Sequence, residues 1–322
     1  MDGDIEKTAF GPVPSRRLGR SLGINNIPPK TCTYSCVYCQ LGRTSKLRLE
    51  RGAFYEADKI LGDVEVKIRE ARRKGESIDY LTFVPDGEPT LDLRLGEEIR
   101  GLKKFGLKIA VITNSSLLWR TDVRDDLLPA DWVSVKVDAV SPDIWRKVDR
   151  PHARLDLDRI WEGISEFART FKGELVTETM LIQGCNDCPE EIEKISAYVA
   201  KLKSKKSFIS IPIRPPAEKW VHPPDEHSVN LAHQVFCEKL IDTELLIGYE
   251  GNAFAFTGNV EEDLLSIMSV HPMREDAVSQ FLIKAKADPS TVRTLVRSGR
   301  LVEVKYKGSI FFLRKLTPGP AR

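Results

Sequence analysis

Three cysteines, Cys32, Cys36 and Cys39, fall within TCTYSCVYCQLG, residues 31–42. Thiolates are soft ligands that select zinc, copper(I) and iron–sulfur clusters over hard ions. A closed zinc site takes four ligands, and the nearest histidine along the chain is His152, so a local zinc knuckle is disfavoured. A cubane of four irons needs only one protein ligand per iron. Three thiolates then leave the fourth iron with an open coordination position, which a reactive centre requires. Cys185 and Cys188 form a CNDC pair, and Cys237 is the last cysteine. These are too few ligands for a second cluster and read as ordinary buried or loop cysteines.

Such a trio must be held by a scaffold. Six short, β-branched runs recur along the chain, SLGIN, YLTFV, KIAVIT, WVSVKV, LVTETMLI and SFISIPI. Stretches such as DLDRIWEGISEFARTF separate them, with apolar residues every three or four positions, as in amphipathic helices. This alternation predicts an α/β fold with a parallel sheet, open or curved toward a barrel, and helices on its outer face. Ligands in such sheets are handled at the carboxyl ends of the strands. The loops there are NIPPKTCTYSCVYC, PDGEPT, TNSS, DAVSP, QGCND and RPPAEKW.

Those loops supply the other candidates. PDGEPT brings Asp86, Gly87 and Glu88; glycine lets backbone carbonyls approach a ligand closely, and carboxylates accept from an ammonium. TNSS brings Asn114, and SVKVDA brings Ser134, Lys136 and Asp138, which alternation places on one face of a strand. Charged groups seldom lie inside a sheet without partners. The Lys136–Asp138 pair therefore reads either as a ligand site or as a structural bridge. Glu178, Gly184 and Asn186 are weaker candidates. Arg16, Arg17 and Arg20 in GPVPSRRLGRSLG are suited to an anionic substrate or to a solvated edge. His271 is expected to be a capping or satisfied histidine rather than a ligand.

The tail differs in character. VEEDLLSIM, REDAVSQFLIKAKA and PSTVRTLVRSG predict three short helices, and LVEVKYKGSIFFLRKL predicts a hairpin around Lys307–Gly308. We divide the chain into a core, residues 1–255, and a small winged-helix-like domain, residues 256–322. In that domain Arg293, Arg297 and Arg300, with Lys305 and Lys307, form a candidate nucleic-acid surface; docking a protein is the other use of such a fold. From Phe256 onward 11 basic residues face 7 acidic ones, although the whole chain of 322 residues carries only +2. Net charge alone therefore names no partner. No apolar run is long enough for a membrane span, and MDGDIEKTAF lacks a signal-peptide core, so a cytoplasmic, membrane-free protein is expected. In a reducing compartment the cysteines point to metal or catalytic thiols.

CxxxCxxC with Tyr38 before its last cysteine resembles the signature of the radical S-adenosylmethionine (radical SAM) superfamily. The resemblance implies a partial (βα)6 barrel and one [4Fe-4S] cluster on Cys32, Cys36 and Cys39. It also implies that the open iron chelates SAM and that the chain is an oxidoreductase-type enzyme served by an electron donor such as flavodoxin or ferredoxin. Asp86, Gly87 and Glu88 resemble the family's motif for the methionyl amino group, and Tyr38 is expected against adenine. Asn114, Ser134, Lys136 and Asp138 complete the expected SAM contacts. Residues 9–190 further resemble 4-demethylwyosine synthases, which implies an RNA base as substrate and tRNA modification as role, with a protein substrate as the alternative. Those enzymes carry a second cluster on cysteines upstream of the trio, and here none precedes Cys32. A redox-sensing DNA-binding regulator and a zinc-stabilised scaffold are the competing readings.

Overall fold

The computed structural model describes residues 8–248, 251–269 and 271–315. The chain opens with β1 (Ala9–Ser15) and β2 (Gly19–Ile24), then runs through a long loop holding the two-residue strands β3 (Thr31–Cys32) and β4 (Lys46–Leu47). Helix and strand then alternate: α1 (Ala57–Arg73), β5 (Tyr80–Phe83), α2 (Leu95–Leu102), β6 (Lys108–Thr113), α3 (Thr121–Leu127), β7 (Trp132–Lys136). Next come α4 (Pro142–Val148), α5 (Leu157–Thr170), β8 (Glu174–Met180), α6 (Pro189–Leu202), β9 (Lys206–Ser210), α7 (Glu226–Glu238) and β10 (Thr243–Leu246). The eight-stranded sheet has the order β1-β2-β5-β6-β7-β8-β9-β10. It is parallel except where β1 pairs antiparallel with β2. The six expected strands are all present, and the two edge strands β1 and β10 are additional.

Period-two alternation sorts each strand into two faces. Leu81, Phe83, Ile109, Val111, Val133 and Val135 point outward into one apolar cluster with α1, α2, α3 and α5. The inner face is layered. Ala110, Trp132, Val176 and Phe208 plug its base. Two residues further along their strands, Ile112, Glu178 and Ser210 line a cavity that Lys136 also lines. One cavity touched by β2, β5, β6, β7, β8, β9 and β10 requires a sheet curved around it, so the fold is the expected partial barrel.

The tail comprises α8 (Val260–Met268), β11 (Met273–Arg274), α9 (Glu275–Ala285), α10 (Ser290–Arg297), β12 (Leu301–Tyr306) and β13 (Ser309–Arg314). Three helices and the hairpin stand where expected, and β11 makes the hairpin a three-stranded sheet, β11-β13-β12. Its apolar core includes Phe10 and Val13 of β1 beside Leu264, Met268, Phe281 and Phe312. Lys67 of α1, 3 % exposed, reaches Asp263 of α8 at 3.3 Å and Thr257 at 3.0 Å. No described helix is long and apolar enough to cross a membrane.

Under the loop after β5 lies a buried carboxyl pair, Asp92 and Glu98. Burial, then the charge of Asp92, pushes Glu98 up to about 9, and burial pushes Asp92 up to about 6. The folded state therefore holds a proton that the unfolded chain releases near its ordinary 4.5. Stability from this group is complete below pH 4.5 and declines as pH climbs toward about 9. Glu98→Gln is expected to flatten that slope and to raise the melting temperature at pH 8. Thermal melts of both forms across the range check it.

Candidate functional site

The cysteine loop lies across the carboxyl ends of the strands, and its backbone is fastened to the loops around it. Thr31 O accepts from Glu88 N at 3.1 Å, and Ser35 N and Val37 N donate to Asp149 O and Val148 O at 3.0 and 2.9 Å. His152 N donates to Thr33 O at 2.9 Å, and Glu218 N to Val37 O at 3.1 Å. Thr33 and Ser116 hydroxyls meet at 2.6 Å. Each such bond contributes about 1 kcal/mol net, so the loop's shape is set by the post-strand loops that surround it.

All three cysteines line the same cavity, about 350 Å³ in volume, together with Tyr38, Asp86, Gly87, Glu88, Asn114 and Lys136. Burial and the nearby Glu88 push the Cys32 thiol up to about 12. Burial raises Cys36 and Cys39 as well, with Asp149 adding to the rise at Cys36. Asn114 Nδ2 sits 3.5 Å from Cys32 Sγ, and Cys36 Sγ faces Asp149 Oδ1 at 3.5 Å. Metal must displace the thiol protons, since only thiolates ligate. Among the described residues no three His, Cys, Asp or Glu converge on a point for one ion. A cubane does not ask for that, because it offers a separate iron to each thiolate.

The two carboxylates of PDGEPT have different surroundings. Glu88 is buried and accepts from Thr90 N, Thr90 Oγ1 and Thr113 Oγ1 on one oxygen and Asn114 N on the other. It ties the loops after β5 and β6 together. Asp86 lies 3.5 Å from Lys30 Nζ, and its Oδ2 is buried without a hydrogen-bond partner. Burial, opposed by Lys30, leaves Asp86 at about 6. Gly87 is required by close approach. A Cβ there would stand 1.9 Å from Thr31 O, and its φ of +153° is one that side chains rarely adopt. Gly87→Ala is expected to push the cysteine loop off its seat at a cost of about 1–3 kcal/mol and to lower the iron bound per chain. Iron and sulfide assays on anaerobically reconstituted protein, beside a thermal melt, check it.

The strand-borne candidates separate by depth. Lys136 reaches the cavity, with Asp138 and Glu178 each 3.5 Å from its Nζ and the Tyr38 ring centroid at 5.1 Å. Asp138 lies beyond the strand end in a small adjoining pocket. There its carboxylate accepts from Tyr38 Oη and from Met180 N at 2.7 Å. Ser134 does not line the cavity. It sits one layer down, between Trp132 of the plug and Lys136, and is fully buried with no partner for its hydroxyl. Glu178 stands in the cavity wall, bonded to Arg17. Burial disfavours its charge, but Arg17 and Lys136 prevail and hold it at about 2.

Arg16 and Arg17 line the cavity, whereas Arg20 points away to Glu76. Gly184 is an exposed turn. Asn186 Nδ2 donates to Met180 O and to Asp138 O, which ties the loop after β8 to the segment after β7. His271 N caps α8 on Ile267 O, as expected, but its ring also forms part of the cavity wall, 2.9 Å from Arg214. Sequence reading missed Lys30, Asp149 and Arg214. Lys30 was within reach, two residues before Cys32. Asp149 and Arg214 sit in loops without periodicity, and only folding brings them to the cysteines.

Residues 26–197 match the radical SAM superfamily model. The chain is 46 % identical over 310 residues to the UPF0026 protein MJ1312 of Methanocaldococcus jannaschii, covering 96 % of each. It is 34 % identical over 315 residues, 95 % of its length, to a Brachyspira hyodysenteriae protein named GTPase Obg, of which it spans 45 %. In fold it is similar to a radical SAM methyltransferase from Sphaerobacter thermophilus, with a TM-score of 0.53 and 15 % identity over 70 % of this chain and 66 % of that one. The chain therefore belongs to the radical SAM superfamily of enzymes, whose cofactors are a [4Fe-4S] cluster and S-adenosylmethionine.

Proposed function

We propose that the enzyme cleaves SAM reductively and abstracts hydrogen from an RNA base presented at the barrel mouth. The observation that carries the SAM-cleaving part is three cysteines on one cavity wall with buried, charged groups around the same cavity. Cys32, Cys36 and Cys39 would each ligate one iron of the cluster, leaving one iron without a protein ligand. When bound and reduced, the cluster and SAM supply a 5′-deoxyadenosyl radical. Asp86 receives the methionyl ammonium, because its Oδ2 has no partner whereas both oxygens of Glu88 are engaged by their own chain. Lys136 and Glu178 stand ready for the SAM carboxylate and ribose hydroxyls, and Tyr38 shields the adenine side. Asn114 donates toward the sulfur of Cys32.

Two observations favour RNA as substrate. Arg293 and Arg297 lie exposed on α10. The hairpin beside them touches the core where Tyr306 Oη donates to Pro212 O at 3.0 Å, and Pro212 lines the cavity. A polymer held by α10 and the Lys305–Lys307 hairpin, as in a winged helix, would lie next to the mouth. Anaerobic incubation with dithionite and SAM is expected to yield 5′-deoxyadenosine. Added cellular RNA should then show a nucleoside of altered mass. Product formation with an unchanged nucleoside pool would move the substrate to proteins.

A further inference from the structure

Beside the cysteine loop lies a concentration of basic side chains that do not line the cavity. Arg43, Lys46 and Arg48 follow the trio directly, with Glu50 behind them. Lys147, Arg150 and Arg154 arrive from the segment whose backbone bonds to Ser35, Val37 and Thr33. Lys219 and Trp220 follow Glu218, whose N–H is bonded to Val37 O. These three segments form one surface, because Arg43 and Arg150 both grip Glu218 and Arg154 grips Glu50. Seven basic side chains thus stand against Glu50, Glu218 and the buried Asp149, in a protein whose total is +2. Trp220, two residues after Glu218, is 44 % exposed, a large aromatic left in water.

From this we propose that the rim formed by residues 43–50, 147–154 and 218–220 is the docking surface for an acidic one-electron carrier protein. The inference rests on reading the cavity as a reductive SAM-cleaving site. Such a site needs one electron from outside: the carrier is oxidised by one electron, and the cluster held by the thiolates is reduced by one. Electron transfer weakens steeply with distance, so the carrier must sit where the least protein separates solvent from the cysteines. Arg43 is four residues from Cys39, and Glu218 and Arg150 adjoin residues bonded to the loop itself. None of the seven basic residues lines the cavity, so a donor bound through them leaves it open to SAM and substrate. Basic charge at this rim steers an acidic partner and sets its orientation, while Trp220 supplies an apolar anchor of the type that dominates interface energetics. A nucleic acid is the other polyanion such a rim attracts. It would not reach the substrate cavity through these side chains, since none of the seven lines it.

The test measures binding of oxidised flavodoxin, an acidic carrier, to the cluster-loaded chain by calorimetry at low and high salt. Affinity should fall with salt, and Lys46→Glu combined with Lys219→Glu should weaken it by about tenfold or more. Neither lysine touches the cavity, so dithionite-driven formation of 5′-deoxyadenosine should remain at the wild-type level while flavodoxin-driven formation falls. Trp220→Ala, which alters no charge, should weaken binding at both salt concentrations. Flavodoxin affinity unmoved by the charge reversals, or retained while RNA affinity falls instead, overturns the proposal. Because binding is read directly, a wild type that yields no product with dithionite counts against the reading of the cavity and leaves the docking result to be judged by itself.

Discussion

Alanine in place of Cys36 is expected to remove the cluster and to take 5′-deoxyadenosine formation below detection, the largest functional effect of any single change. Cys36 is the middle ligand of the trio, and its sulfur faces Asp149 at 3.5 Å. Without metal, burial and that carboxylate hold the thiol well above its ordinary range, so the site gains its thiolates only by exchanging protons for iron. Two thiolates cannot complete three iron corners, and Asn114 at Cys32 is an amide unsuited to soft iron. The same outcome is expected for Cys32 and Cys39. Cys185, Cys188 and Cys237 serve as controls, since none of them lines the cavity; their replacement by serine should leave iron content unchanged. Iron and sulfide analysis with an absorption spectrum of anaerobic protein separates these outcomes.

Lys67→Met should cost about 3–5 kcal/mol of stability, the largest structural effect, because it strips the partner from a buried carboxylate. Lys67 and Asp263 are 3 % and 2 % exposed. The carboxylate keeps Thr257 N and Oγ1 at 2.8 and 2.6 Å, too little to replace a cation. The damage reaches the site as well. Asp263 belongs to α8, and three residues past its end His271 forms part of the cavity wall, so a loosened α8 unsettles that wall. Adding Asp263→Leu to Lys67→Met should recover part of the loss, since the apolar pair has no charge to desolvate while Thr257 N and Oγ1 lose their acceptor. Denaturant titrations of the two variants check both halves of the statement. A loss below about 1 kcal/mol for Lys67→Met would mean that the contact is solvated in solution.

The parallel core was legible because its strands are short apolar runs set between helices of clear period, and each was found. The edge strands were not. Residues Ala9–Ser15 of β1 contain glycine and two prolines, which read as loop, and β10 is only four residues long. Local chemistry also revealed the cysteine trio and the post-strand loops. Depth escaped it: alternation put Ser134, Lys136 and Asp138 on one face, but only the packed plug decides that Ser134 is sealed in and Lys136 is not. Partner choice escaped it too. Glu88 and Asp86 are near equals on paper, and only the hydrogen bonds from Thr90, Thr113 and Asn114 show which one is already spoken for. The Arg17–Glu178 pair joins residues 161 positions apart, a separation no motif records.

Electron paramagnetic resonance of the dithionite-reduced, anaerobically reconstituted protein, recorded before and after addition of SAM, bears most directly on an iron corner left open by three thiolates. A signal of a reduced cubane whose g values move when SAM is added is the predicted result. A spectrum indifferent to SAM at full cluster occupancy, or the absence of any cluster signal from protein with all three cysteines intact, would contradict it.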